Sequence, residues 1–258
     1  MSVGARISWI RLTPVKALAL NQVDEIELLE GGLRGDRRFY LVDERNRLVS
    51  DKRHGQLQLV RAEHDDEGDV LRLRLADDTA VEGEVERGEE LTTNFHKRPL
   101  SARRVPGPWD EALSDVAGEP VRLVEPTGGA VDRGRGGAAT LLGEASLGAL
   151  AGVLGVASVD GRRFRMNFGV AGLAAHEEDG WIGRRLQVGD AVVVPLGNVG
   201  RCVITKQNPD TGEIDLDTLN GLADYRGDIE TTEPLPFGVH AAVAQAGRVR
   251  VGDAIYPL

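Results

Sequence analysis

The feature that most constrains this chain is a succession of short strand-like runs between residues 57 and 86. Apolar or alternating runs at 57–60, 70–75 and 79–86 are separated by turn sequences at 67–69 and 76–78. In the second run, Leu71, Leu73 and Leu75 alternate with polar residues, which is the spacing of a strand with one buried face. The chain also contains 33 glycines, nearly twice the usual share. Short strands at even spacing predict a small antiparallel barrel or sandwich.

The remaining pattern adds further strands and only a few helices. Strands are predicted at 3–12, 39–43, 121–124 and 168–170, and short helices at 109–117 and 144–150. Apolar residues over 215–223 return to helical spacing after a proline- and glycine-containing turn at 208–212. A chain of 258 residues is long enough for one large domain or two small interlocked ones.

Charge and cysteine content exclude several classes of function. A net charge of −10 argues against a nucleic-acid partner, because phosphate binding requires a basic surface. The single cysteine excludes an internal disulfide, a CxxC zinc site and a cysteine-ligated iron–sulfur cluster. Arg6, Arg11 and Lys16 interrupt the apolar runs at the start, which predicts neither a signal peptide nor a membrane span. We therefore expect a cytoplasmic protein that does not bind a membrane.

Cys202 lies at the start of an apolar run at 203–205, which predicts a short strand, and a tight turn follows at 208–212. A thiol held by rigid backbone beside Arg201 is typical of a reactive or metal-ligating cysteine, since a nearby cation favours the thiolate. A free cysteine is also commonly a small buried apolar residue. The residues alone leave both interpretations open.

Four segments carry candidate anion-binding groups. Residues 31–38 form a glycine-rich turn that contains Arg37, and Lys16 follows the first predicted strand. In residues 160–167, Arg165 and Asn167 are predicted on one side of an extended segment, where they offer a guanidinium and a carboxamide. A glycine-rich loop at 128–138 with Arg133 and Arg135 is predicted to be mobile, a candidate lid. The alternative for all of these cations is a solvated surface with ion pairs.

The sequence RCVITKQNPDTGE at 201–213 and the sequence RRFRMN at 162–167 together resemble the MOSC family, the C-terminal domain of molybdenum-cofactor sulfurases. PVK at 14–16 and GDRR at 35–38 follow the same family pattern, and the resemblance is greatest to the branch of the mitochondrial amidoxime reducing component. It implies a mostly β, β-barrel-like fold with a few peripheral helices and two interlocked β-rich domains. These would be an N-terminal barrel at 1–122 and a MOSC domain at 123–258, with a cofactor between them.

The resemblance also implies a site. The cofactor would be the molybdenum cofactor (Mo-molybdopterin), with Cys202 as the catalytic residue and the protein thiolate on the metal. The implied cofactor-binding residues are Lys16, Arg37, Lys52, Thr140, Ser146, Arg165, Asn167, Arg201 and Cys202. The chain has Val199-Gly200 where relatives often carry a serine or threonine.

The implied activity is the reduction of N-hydroxylated compounds such as amidoximes, hydroxylamines and N-hydroxylated bases. A soft thiolate ligand suits a metal that transfers an oxygen atom with two electrons. Electrons would come from a separate redox protein, a flavoprotein with a ferredoxin or a cytochrome, because no G-x-G-x-x-G unit is present for a nucleotide cofactor. The alternative is a carrier that holds molybdenum cofactor or sulfur without turnover of its own.

Overall fold

The computed structural model describes residues 4–128, 134–231 and 233–258. The described chain is mostly β, which confirms the predicted fold class, and a few helices lie around the strands. The first strands are β1 (Arg6–Leu12), β2 (Asn21–Val23), β3 (Glu25–Leu29), β4 (Gly32–Leu33), β5 (Tyr40–Val42), β6 (Leu48–Val49), β7 (Arg61–Asp65), β8 (Val70–Arg74), β9 (Ala80–Glu84), β10 (Glu90–Phe95), β11 (Arg98–Arg104) and β12 (Arg122–Pro126). The later strands are β13 (Ala139–Gly143), β14 (Phe168–Ala171), β15 (Leu186–Val188), β16 (Ala191–Gly200), β17 (Pro236–Gln245), β18 (Gly247–Arg250) and β19 (Ile255–Pro257). The α-helices are α1 (Trp109–Ala117), α2 (Glu144–Leu154) and α3 (Thr218–Arg226). None of the helices in this part of the chain has the length and apolar character needed to cross a membrane.

The largest sheet has eight strands in the order β19-β15-β16-β17-β13-β14-β1-β2. The first strand of the chain, β1, therefore pairs with β14, and Ile10 lies opposite Phe168. Both side chains are fully or almost fully buried in the core of this sheet. The N-terminal segment thus completes a sheet made mostly by the C-terminal half, which interlocks the two halves.

The N-terminal half forms a five-stranded sheet, β10-β11-β12-β5-β6, and a three-stranded sheet, β7-β8-β9. Their shared core contains Phe39 and Leu71, covered by Trp109 of α1. The indole of Trp109 donates a hydrogen bond to the carbonyl of Val105 at 2.8 Å, so the helix is fixed against the sheet. Strand β12 spans the predicted domain boundary at 122/123 and pairs with β11 and β5. The division into 1–122 and 123–258 stays a prediction.

Two predicted strands are 3₁₀ helices. The run at 57–60 belongs to a 3₁₀ helix over Gly55–Leu59, and the run after Cys202 forms another over Val203–Lys206. Both apolar runs are short, and periodicity does not separate a short strand from a short helical turn. In the run after Cys202, the hydroxyl of Thr205 donates to the carbonyl of Cys202 at 3.0 Å. This side-chain hydrogen bond favours the helical turn over pairing with a neighbouring strand.

These two 3₁₀ segments bring the halves of the molecule together. The amide of Gln58 donates to the side-chain oxygen of Gln207 at 2.6 Å, and Gln207 donates to the carbonyl of Asp51 at 2.9 Å. The backbones of Gly55 and Gly212 lie directly against each other, and Gly212 has a φ of 73°. The turn after Cys202 is therefore held against residues 51–58 by contacts that leave no space for a side chain.

We predict that Gly55→Ala destabilises the fold. A Cβ at Gly55 would lie 1.9 Å from the carbonyl oxygen of Gly212, and backbone atoms there cannot move independently. Overpacking of this kind costs about 1–3 kcal/mol in the free energy of unfolding. The control is Gly148→Ala inside α2, where a Cβ would meet nothing within 4 Å; it should stabilise by about 0.5–1 kcal/mol. Urea unfolding measures both, and equal stability of the two variants would contradict the prediction.

Candidate functional site

A cleft of about 600 Å³ lies between the two halves of the molecule. Its walls come from residues 16–52 and 96–98 on one side and from residues 136–240 on the other. The structure brings together Lys16, Arg37, Lys52, Thr140, Arg165, Asn167, Arg201 and Cys202, all of which line this cleft. Of the predicted site residues only Ser146 is not in the lining.

Cys202 is a free, half-buried cysteine. It lies just beyond the end of β16 and immediately before the 3₁₀ helix, so the thiol follows a strand where the sequence predicted that it begins one. The carbonyl of Cys202 accepts hydrogen bonds from the backbone and the hydroxyl of Thr205, at 3.1 and 3.0 Å. Thr205 in turn shares a 2.7 Å hydrogen bond with Thr218 of α3. The backbone that follows the thiol is therefore fixed by the Thr205 hydroxyl.

Arg201 is buried and donates hydrogen bonds to backbone carbonyls of the protein. Its Nε donates to the carbonyl of Phe237 at 2.9 Å and its Nη1 to the carbonyl of Phe164, also at 2.9 Å. The guanidinium also lies 5.2 Å from the ring centre of Phe164. These contacts join β17 to the segment that precedes Arg165. Arg201 thus positions the backbone next to Cys202, and a direct cofactor contact for it stays a prediction.

The backbone around Arg165 differs from the extended segment that the sequence predicted. Residues Gly161–Phe164 form a 3₁₀ helix, and Arg165 ends it in a left-handed conformation with φ 52°. Its Nη2 donates to the carbonyl of Leu18 at 2.6 Å, and its Nε lies 3.4 Å from the carboxylate of Asp51. Arg37, with φ 48°, donates from Nη2 to the carbonyl of Arg165 at 2.8 Å. The two guanidinium groups therefore share one region of the cleft.

Sequence reasoning missed the role of Asp36. Its Oδ1 accepts a hydrogen bond from the backbone of Thr13 at 2.9 Å, and its Oδ2 pairs with Arg37 and accepts from the amide of Asn167 at 3.0 Å. The side chain of Asn167 also donates to the carbonyl of Arg11 at 3.2 Å, so both amide hydrogens are used within the protein. The only signal in the sequence was the position of Asp36 inside the GDRR motif.

Thr140 and Asn167 are bound to each other. The hydroxyl of Thr140 donates to the side-chain oxygen of Asn167 at 2.9 Å and accepts from its backbone at 2.8 Å. The amide oxygen of Asn167 retains a second lone pair, since a carbonyl oxygen accepts two hydrogen bonds. That oxygen is what Asn167 still offers toward a ligand.

The prediction that Ser146 contributes to cofactor binding does not agree with its position. Ser146 is fully buried at the start of α2. Its hydroxyl donates to Glu178 at 2.7 Å and accepts from the backbone of His176 at 2.9 Å. The hydroxyl therefore holds the Glu178 loop against α2 and does not line the cleft.

The remaining features are Arg38, the last residue of the GDRR motif, and the candidate lid at 128–138. Arg38 faces the surface, where it pairs with Glu125 and Asp66 at 2.8 and 2.7 Å. Of the candidate lid at 128–138, residues 129–133, which include Arg133, lie outside the described residues. Gly136 and Gly137 line the cleft.

His176 is a half-buried histidine whose ring nitrogens are buried and whose backbone donates to the hydroxyl of Ser146. Burial, together with the positive charge of Arg226, lowers the pKa of His176 to about 4, against a smaller opposing effect of Asp179. Its ring packs 5.6 Å from that of Tyr225 and 5.8 Å from that of Phe237, measured between centroids. Within the described part of the chain, neither ring nitrogen has a hydrogen-bond partner.

We predict that His176 makes the fold less stable as the pH falls from about 6.5 to about 4. The unfolded chain takes up a proton near pH 6.5, whereas the folded chain binds it only near the lowered pKa. His176→Asn accepts the same left-handed backbone and does not titrate. The free energy of unfolding in urea should therefore fall more for the native protein than for the variant between about pH 7 and about pH 5. Equal losses of unfolding free energy in the native protein and in His176→Asn would contradict the prediction.

The donor set of the cleft fits the molybdenum cofactor. Lys16, Arg37, Arg165 and Cys202 line the cleft, where the three cations would suit its phosphate and the thiol would offer a soft ligand to the metal. The buried Oδ2 of Asp51 has no hydrogen-bond partner among the described residues, although Arg165 lies at ion-pair distance. An acceptor of this kind suits the N–H groups at a pterin edge. No group of three His, Cys, Asp or Glu side chains in the described chain is placed to hold a metal by itself.

Comparison with known proteins identifies two domains. Residues 4–116 match the MOSC N-terminal beta barrel domain and residues 129–256 match the MOSC domain. The rat protein named mitochondrial amidoxime reducing component 2 is 38% identical over 100 residues, and its human counterpart is 39% identical over the same length. In both cases the match covers 36% of this chain and 29% of the relative, so it spans less than a third of each of these two relatives. Among solved structures, the YUAD protein from Bacillus subtilis aligns over 98% of this chain and 94% of its own, with 12% identity and a TM-score of 0.45.

Proposed function

Because the chain belongs to the MOSC family, we propose that it is a molybdenum-cofactor-binding oxidoreductase that reduces N-hydroxylated compounds. The substrates would be amidoximes, hydroxylamines or N-hydroxylated bases. The names of the similar proteins, amidoxime reducing components, support this substrate class.

The proposal rests on one observation: a single thiol and several cationic side chains line the same cleft. Lys16, Arg37, Arg165 and Cys202 are far apart in sequence and line the same cleft. In a chain with a net charge of −10, such a concentration of positive charge favours a bound anion. A cofactor that carries both a phosphate and a thiolate-binding metal accounts for both groups at once.

Each residue would have a distinct task. Lys16, Arg37 and Arg165 would hold the phosphate, and Asp51 and the oxygen of Asn167 would accept hydrogen bonds from the pterin. Cys202 would bind the metal through its sulfur, on a backbone that Arg201 and Thr205 hold in place. When bound, the cofactor would supply two-electron oxygen-atom transfer.

The overall reaction cleaves the N–O bond of the substrate. Two electrons and two protons enter, the oxygen leaves as water, and an amidoxime becomes the amidine. The electrons would come from a separate redox protein, a flavoprotein with a ferredoxin or a cytochrome. Encounters of this kind are typically weak and short-lived. A cytoplasmic location stays a prediction.

We predict that Cys202→Ser abolishes reduction of benzamidoxime while most of the pterin is retained. The thiolate binds the metal, whereas the phosphate and pterin are held by other residues. The protein should be purified from a host that makes the cofactor and assayed with an artificial low-potential donor. Molybdenum and the fluorescent pterin oxidation product are measured in the same samples. A molybdenum-loaded native protein without turnover would instead favour the carrier function.

Arg165→Ala should act on a different step from Cys202→Ser. Each charge-assisted contact contributes about 1.5–3 kcal/mol, so loss of the guanidinium should weaken cofactor retention by about ten- to a hundredfold. Arg74→Ala is the control, because Arg74 is 60% exposed on β8 and does not line the cleft. Circular dichroism must show that both variants are folded. If Arg165→Ala is unfolded while Arg74→Ala is folded, Arg165 has a structural role, which would contradict the binding role.

A further inference from the structure

A second cavity of about 230 Å³ opens beside the cleft. Its lining residues come from β6 with the residues on either side of it and from the β10–β11 hairpin: Arg47, Leu48, Ser50, Lys52, Asn94, His96 and Lys97. Ser50, Lys52 and His96 also line the cleft, so the two spaces adjoin. We call this second cavity the annex.

The annex is basic although the protein is acidic. Arg47, Lys52 and Lys97 carry positive charge, His96 is titratable, and no carboxylate is among the described residues that line the cavity. Arg47 pairs with Asp43 at 2.7 Å, and Lys52 and Lys97 are exposed. In a chain of net charge −10, this local excess of positive charge favours an anionic ligand.

The turn that displays Lys97 is conformationally unfavourable. Phe95 and Arg98 pair at the end of the β10–β11 hairpin, so His96 and Lys97 form a two-residue connection. Their φ angles are 51° and 67°. A turn with two positive φ angles is best made by Asn-Gly, and a lysine at its second position costs stability. Strain of this kind at a cavity wall points to a function of the side chains.

The hairpin tip is fixed relative to the cofactor-binding region. Phe95 is buried, and the centroid of its ring lies 4.9 Å from that of His96. The ammonium of Lys16 lies 5.8 Å from the centroid of the Phe95 ring. The backbone of Asn94 donates to the carbonyl of Asn46 at 2.7 Å. The annex therefore has a defined position next to Lys16.

We propose that the annex binds an anionic group, a carboxylate or a phosphate, on a small substrate whose N-hydroxylated end lies in the cleft. This rests on the proposed function and adds a substrate class to it. A cavity of 230 Å³ beside a cleft of 600 Å³ suits a substituent of a small molecule. An acidic surface of the redox partner is the competing occupant that the experiment tests.

The test compares benzamidoxime with 4-carboxybenzamidoxime, using the molybdenum-loaded protein and an artificial donor. The native protein should have a kcat/KM about two- to fivefold higher for the carboxylate probe, the effect of one exposed ion pair. The double variant H96N/K97G gives the turn Asn-Gly, the pair favoured at two positive φ angles. It should melt at a higher temperature than the native protein and lose most of this preference.

Asp78→Gly is the control for the turn itself. Asp78 has a φ of 66° between β8 and β9 and does not line the cleft or the annex. This variant should also gain thermal stability, and the ratio of the two kcat/KM values should stay as in the native protein. A gain in stability by H96N/K97G with an unchanged ratio would overturn the proposal.

Calorimetry with the two products, benzamidine and 4-amidinobenzoate, separates this inference from the proposed function. Tighter binding of 4-amidinobenzoate that H96N/K97G abolishes supports the annex even if neither amidoxime is reduced. Turnover of both probes with no preference in rate or binding overturns the annex and leaves the proposed function intact. If H96N/K97G slows reduction only when an acidic protein donor supplies the electrons, the annex surface belongs to that partner. This result would overturn the proposal.

Discussion

The carboxylate of Asp36 accepts hydrogen bonds from groups that are far apart in sequence. It contacts the backbone of Thr13 at the end of the first strand, the guanidinium of Arg37 and the amide of Asn167. Thr13 and Asn167 belong to opposite halves of the chain, and Arg37 also donates to the carbonyl of Arg165. This one side chain therefore links Arg37 and Asn167, both of which line the cleft, to the end of the first strand.

The thiol side of the cleft is organised by different groups. Arg201 donates to the carbonyls of Phe237 and Phe164, which holds the segment before Cys202 between two other elements. The segment after Cys202 is held by Thr205 and, further along, by the contact between Gly55 and Gly212. Hydrogen bonds to charged groups are stronger than neutral ones, so a buried guanidinium can fix backbone that belongs to no sheet ladder. The placement of the thiol therefore rests on contacts within the protein.

Much of the fold and the site was predictable from the sequence. The alternation in 70–75 and the helix over Trp109–Ala117 are local patterns, and both are confirmed. The 3₁₀ helices at Gly55–Leu59 and Val203–Lys206 were not predictable, because a short apolar run does not define its own backbone geometry. The site motifs indicated the side chains that line the cleft. They did not show that Ser146 turns toward Glu178, since that depends on the packing of a loop 32 residues away.

Residues whose role arises only from three-dimensional proximity were also missed. Asp36 and Asp51 are acidic, and an acidic residue in sequence is usually part of a solvated surface. Their importance follows from side-chain partners such as Thr13 and Asn167 for Asp36 and Arg165 for Asp51, which no spacing rule connects to them. The positive φ angles of His96 and Lys97 are likewise a property of the folded hairpin.

The central claim is that Cys202 binds molybdenum through its sulfur while the rest of the cleft holds the cofactor. X-ray absorption spectroscopy at the molybdenum edge tests it most directly, on the native protein and on Cys202→Ser purified with their cofactor. The account predicts that the native protein has one more sulfur in the first coordination shell than the variant, at comparable pterin content. An identical sulfur count in the two proteins, or a native protein that retains neither molybdenum nor pterin, would contradict it.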